Sequence, residues 1–185
     1  MSESACGAAL VVGGSERERE RWRTALVDLV STEAVADGAE ALTCIDEGVE
    51  VLVVHRDLPD REASELIATV RDRGFSVRAV LLSPERPEGD VVAQGFDAWL
   101  QTPVEADLLV RTVEGLLACR RYDRAIADLY ELASEHAGRE ADTLTVRERI
   151  HEARSEADAA LAAVETIDRE ALLANSPAAF SEGGQ

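Results

Sequence analysis

Side chains able to do chemistry are thinly spread along this sequence. The three cysteines, Cys6, Cys44 and Cys119, form no CxxC pair, and the three histidines, His55, His136 and His151, are equally far apart. Neither set has the spacing of a sequence-local metal site, so free thiols and solvated imidazoles are the plain reading, and no bound metal is expected. Gly13-Gly14 follows an apolar run and is a candidate phosphate cradle, but it lacks both GxGxxG spacing and the lysine of a P-loop. His55-Arg56-Asp57-Leu58-Pro59-Asp60 places an imidazole and two carboxylates within one turn. No Ser-His-Asp or Cys-His arrangement can be argued from spacing.

The elements that must position these residues alternate in type. Ala8-Ala9-Leu10-Val11-Val12 reads as a buried strand ending at Gly13-Gly14. Ser15 caps a helix whose Trp22, Leu26, Leu29 and Val30 share one face, while its Glu/Arg alternation, with i,i+3 pairs such as Glu16 with Arg19, forms a solvated face. Further strands are expected at Ala34–Ala36, Val51–Val54, Arg78–Leu82 and Ala98–Leu100. Helices are expected over Ala39–Glu47, Arg61–Arg73, Asp90–Gln94 and from Glu105 onward. Strands without period-two polarity, alternating with helices, indicate an α/β fold. The expectation is a flavodoxin-like, doubly wound, five-stranded parallel sheet.

From Tyr122 the strands stop. Ile126, Leu129, Ala133 and His136 recur at helical spacing, and Gly138 interrupts. A second helix follows over Thr145–Asp168, with Val146, Ile150, Ala153, Ala157, Ala160, Val164 and Ile167 as its seam. An all-α hairpin or coiled-coil extension is therefore expected over residues 122–174, with flexible termini at 1–7 and 175–185.

Two stretches carry a family resemblance: the His55–Asp60 turn, and Gly95-Phe96-Asp97-Ala98-Trp99-Leu100-Gln101-Thr102-Pro103-Val104. Over residues 8–121 the chain resembles a response-regulator receiver domain. With its helical tail it resembles haloarchaeal receiver proteins that carry a HalX domain. The resemblance implies a receiver fold and a place in signalling. Family receivers take a phosphoryl group onto an aspartate closing the third strand. Two acids after the first strand hold magnesium, and a lysine and a hydroxyl residue bind the phosphoryl oxygens. Magnesium needs hard carboxylate oxygens, and the transferred group needs positive charge around it.

Carried over residue by residue, most of this equipment is missing. The metal-holding acids correspond to Gly13 and Gly14, the acceptor to His55 and the lysine to Thr102. Ser83 supplies the hydroxyl, Trp99 stands at the aromatic switch position, and Pro59 and Pro103 keep the two turns. The resemblance also implies a cis bond before Pro103. Four losses at independent positions indicate a degenerate pocket with its magnesium site lost. Asp57 or Asp60 as a displaced acceptor, and His55 as a phosphohistidine carrier, stay open as alternatives. Because such groups act as a unit, His55→Asp alone is not expected to restore phosphorylation, whereas restoring all four positions together is a route to recovery.

Charge narrows the partners. The 185-residue chain carries a net charge of −18, and all 19 of its bases are arginine. An acidic, lysine-free composition resembles proteins of salt-accumulating halophiles with GC-rich coding, with plain codon bias as the alternative. Residues 122–185 hold 14 acids and 6 arginines, a net of −8, which opposes a role in gripping nucleic acid. No apolar run is long enough to span a bilayer, and the first residues lack a secretory pattern, so a cytoplasmic protein is expected. The reading is a non-enzymatic, phosphorylation-independent signalling or regulatory protein. Its partners would be a kinase, another receiver or a transcription component, and its tail would support a homodimer. DNA binding through the tail is the second reading.

Overall fold

The computed structural model describes residues 8–136, together with His151 and Ser155. The order of elements is β1 (Ala9–Val12), α1 (Glu16–Leu26), β2 (Thr32–Val35), α2 (Gly38–Cys44), β3 (Val51–His55), α3 (Ala63–Asp72), β4 (Arg78–Ser83), β5 (Ala98–Gln101) and α4 (Ala106–His136). All strand pairs are parallel, in the order β2-β1-β3-β4-β5. This is the expected doubly wound α/β sheet.

The central strands are apolar on both faces because each face is covered. Leu10, Val12, Leu52, Val54 and Leu81 pack with α2 and α3, against Ala41, Leu66, Ile67 and Val70. Val11, Val51, Val53, Val80 and Leu82 face the other layer, where α1 contributes Trp22 and Leu26, and α4 contributes Leu109, Val113, Leu116 and Leu117. Aliphatic side chains of similar volume fill these layers, so the scarcity of aromatics leaves the core intact. Burying all of this apolar area is the main force holding the layers together.

Helix starts follow the sequence signals. Ser15 Oγ accepts from Glu18 N at 3.3 Å while Glu18 Oε2 accepts from Ser15 N at 2.8 Å, a reciprocal capping box that fixes the entry to α1. On its solvated face the i,i+3 ion pair is Arg23 with Glu20 at 2.7 Å, whereas Arg19 turns back to donate to the Gly14 carbonyl. Asp37 caps α2 by accepting from Glu40 N at 2.8 Å.

The helix expected over Asp90–Gln94 does not form; the segment is a run of turns. Gly89 and Gly95 both adopt positive φ, and Asp90 Oδ1 accepts from Val92 N at 2.9 Å, diverting the backbone into a side-chain-closed turn. Five residues bracketed in this way are too few to offset helix nucleation. The helix that follows β5 is therefore α4. It runs unbroken through the boundary expected at 121/122. The tail seam from Val146 onward, the termini and Cys6 lie outside the described residues.

Candidate functional site

The expected pocket gathers at the carboxyl ends of β1, β3, β4 and β5, where a parallel sheet of this topology presents its ligand crevice. The parallel register brings Gly13, His55, Ser83 and Thr102 to one end of the sheet. Val12 pairs with Val54, His55 with Leu82, and Ser83 with Gln101, so each of these four residues stands at or just beyond a paired strand end. Thr102 N donates to the Ser83 carbonyl at 2.9 Å, and the Thr102–Pro103 bond is cis, as the resemblance implies. Pro59 and Pro103 are exposed turn residues.

The groups that meet there are occupied with one another. Gly13 and Gly14 have φ of 83° and 75°, a backbone region that side-chain-bearing residues rarely adopt. A Cβ on Gly13 would overlap Leu58 Cδ2 and approach His55 Cβ to 3.2 Å. A Cβ on Gly14 would lie 2.9 Å from the Trp22 ring. Trp22 is buried and stacks on His55, with ring centroids 6.0 Å apart and planes 23° from parallel. His55 Nδ1 accepts from Asp57 N at 3.2 Å. Ser83 is fully buried, and its hydroxyl donates to the Glu85 carbonyl at 2.6 Å, back into its own loop.

The carboxylates that stand nearby are also engaged. Glu18 is the acid beside Gly14, and its hydrogen bonds to the Ser15 side chain and backbone hold it below the usual carboxylate range. Asp60 accepts from Gly38 N at 2.9 Å, Ala39 N at 3.0 Å and Arg61 Nε at 2.9 Å. The Gly38 amide bond chiefly, with Arg61 behind it, lowers its pKa. Asp60 is thus a clamp between the β3–α3 turn and the start of α2. Asp57 is exposed, and only its backbone is held, in an isolated antiparallel bridge with that of Glu62.

Magnesium, the ion that the receiver resemblance implies, does not fit these residues. It requires two or more oxygen donors converging beside the acceptor. Here the corresponding positions are glycines whose side-chain space is filled by Leu58 and Trp22. Among the described residues no group of three or more His, Cys, Asp or Glu converges on a common point.

Trp99 is half-buried against the α2/α3 layer, and its Nε1 is buried without a hydrogen-bond partner. The turns that replace the missing helix lie on that same layer, through Val91. Trp22 and Leu58 are pocket residues that the sequence does not mark as such. Trp22 reads there as ordinary core periodicity, and Leu58 as part of a turn motif.

No protein-family model matches this chain. A Haloferax volcanii protein named "Putative transcriptional regulator" is 29% identical over 141 residues, covering 71% of this chain and 24% of that protein. The chain thus spans about a quarter of that relative's length. Among solved structures, a receiver domain protein from Methanospirillum hungatei superposes with a TM-score of 0.57 at 19% identity, covering 62% of this chain and 96% of that one. The chemotaxis response regulator CheY4 of Vibrio cholerae gives 0.54 at 23% identity, covering 58% of this chain and 96% of that one. The beryllofluoride-activated DrrB receiver domain gives 0.54 at 19% identity, over 59% and 95%. At these identities the likeness is one of fold. Strand order, register and superposition agree, and the described body of this chain has the receiver fold.

Proposed function

We propose that this chain is a pseudo-receiver: a non-enzymatic signalling protein that works by protein contact, without phosphorylation, in signal transduction or transcriptional regulation. The observation that carries the reading is the filling of the acid positions, where Leu58 and Trp22 pack against Gly13 and Gly14. A pocket packed in this way has neither the negative charge that gathers magnesium nor the room for it. The engagement of Asp60 by three donors argues against a displaced acceptor there. His55, stacked on Trp22, serves in this reading as packing rather than as a phosphoryl carrier. Treatment with acetyl phosphate and magnesium is expected to leave the intact mass unchanged. A gain of one phosphoryl on His55, Asp57 or Asp60 sinks the proposal.

The partners in this reading are a kinase, another receiver or a transcription component. The tail resembles a HalX domain and serves as an association device supporting a homodimer. Asp123 pairs with Arg78, and Arg124 with Glu50 at 2.9 Å, so a truncation at 121 would strip contacts from the receiver body itself. Residues 1–136 are the better comparison. In molar salt, light scattering is expected to give a larger particle for the full chain than for residues 1–136. The full-length double variant Ile150→Glu, Val164→Glu should behave like the truncation.

A second reading, a DNA-binding regulator acting through its tail, has the name of the Haloferax relative in its favour. The net charge of −8 over residues 122–185 opposes it, because phosphate contact rests on basic side chains. If all three proteins scatter as monomers while the intact chain retards DNA in a salt-sensitive way, the second reading replaces the first.

A further inference from the structure

The end of the sheet opposite the filled pocket carries a different cluster. Arg78 opens β4 and Asp97 immediately precedes β5, so both stand at the amino-terminal edge. Asp97 accepts from Arg78 Nη1 at 2.5 Å and from Ala79 N at 2.8 Å. The other terminal nitrogen of Arg78 pairs with Asp123 on α4. These contacts tie Arg78 to both aspartates. They frame a cavity of about 330 Å³ lined by Arg71, Ser76, Arg78, Asp97, Arg120 and Asp123 among others.

Two of the three guanidiniums remain unfinished. Arg71 approaches Asp97 only to 3.9 Å. Arg120 has no ion pair among the described residues, and its Nε–H is buried without an acceptor. A buried charged donor without an acceptor carries its desolvation cost uncompensated. The local sign is also reversed: three arginines face two aspartates here, in a chain whose net charge is −18. Guanidinium forks match the paired oxygens of carboxylates and phosphates, and the half-exposed Arg71 and the cavity-lining Arg120 both have donors to offer one beyond Arg120's enclosed Nε.

We propose that this cavity binds a small-molecule oxyanion, a phosphate or carboxylate group, between Arg71 and Arg120, with Arg78 and its two aspartates as the fixed wall. The volume suits a small ligand or the anionic end of a larger one. The site lies on the far side of the sheet from the filled pocket, so it does not depend on the fate of phosphorylation there.

The test uses full-length protein labelled with 15N-arginine, titrated at constant chloride with inorganic phosphate and, in a separate arm, with acetate. The Nε–Hε resonances of Arg71 and Arg120 are expected to move together on one saturating curve, while those of Arg17 and Arg21 on α1 stay still. Saturation by phosphate alone assigns a phosphate ligand, and saturation by acetate assigns a carboxylate. Arg120→Met keeps the aliphatic stem and should weaken the effective anion at least about tenfold. Arg71→Met, at a half-exposed side chain, should weaken it in the same direction and guards against a folding defect in the first variant. Uniform, unsaturating shifts of all arginines, or a saturating curve that neither substitution alters, overturn the proposal.

Discussion

Reinstating the family's site residues, with Gly13→Asp, Gly14→Asp, His55→Asp and Thr102→Lys together, is expected to yield a less stable protein that still takes no phosphoryl group. On the sequence alone, restoring the four groups together is a route to recovery, since they act as a unit. The structure adds an obstacle of packing and conformation. At φ of 83° and 75° the two glycines occupy backbone that an L side chain enters at a cost of about 1–2 kcal/mol. Their new Cβ atoms would also press on Leu58 and on the Trp22 ring. Overpacking of that kind costs about 1–3 kcal/mol. Counting the backbone cost for each of the two glycines, a combined loss of about 3–7 kcal/mol is expected in denaturant unfolding, with no added phosphoryl in the intact mass after acetyl phosphate and magnesium. A stable, phosphorylated quadruple variant would mean that the plug yields easily and that the lost chemistry is a matter of four side chains only.

Trp22→Ala should have the largest effect of any single change near the pocket. Trp22 is 3% exposed, packs in the layer formed by Val11, Leu26 and Val53, and stacks on His55. Truncating a buried tryptophan costs about 3–5 kcal/mol, from lost transfer energy and the cavity left behind. The denaturation midpoint should fall with an unchanged slope. His55→Ala removes only one side of the stack, so its loss should be clearly smaller. Equal and small losses for both would mean that α1 is not anchored through this ring.

Much of the fold is legible in the residues because the central strands are buried on both faces. Ala9–Val12, Val51–His55 and the Val80–Leu82 run need no partner to be recognised as strands. The helix misread at Asp90–Gln94 shows where composition misleads. Its residues tolerate a helix, but Gly89, Gly95 and the Asp90 side chain together favour turns. That Gly13, His55, Ser83 and Thr102 stand at one end of the sheet was legible too, since strand ends and prolines define their positions. What packs around them was not. Trp22 meets His55 across more than thirty positions, and Asp60 reaches back 22 to Gly38. Such contacts arise from the winding of the sheet, which periodicity along the chain does not encode.

The unbroken α4 gives this body a mechanical property. Its 31 residues make a rod about 46 Å long, at 1.5 Å of rise per residue. One end is gripped by the sheet through Leu109, Val113, Leu116 and Leu117, and the span beyond is joined to the sheet edge by Asp123 and Arg124. No glycine or proline interrupts it after Gly115, so there is no built-in hinge between the receiver body and residue 136. Whatever tilts the body therefore swings the far end of the rod with it. Under the proposed contact-based function, such a lever would convey a docking event as orientation, with no need for a reacting group at the other end of the sheet.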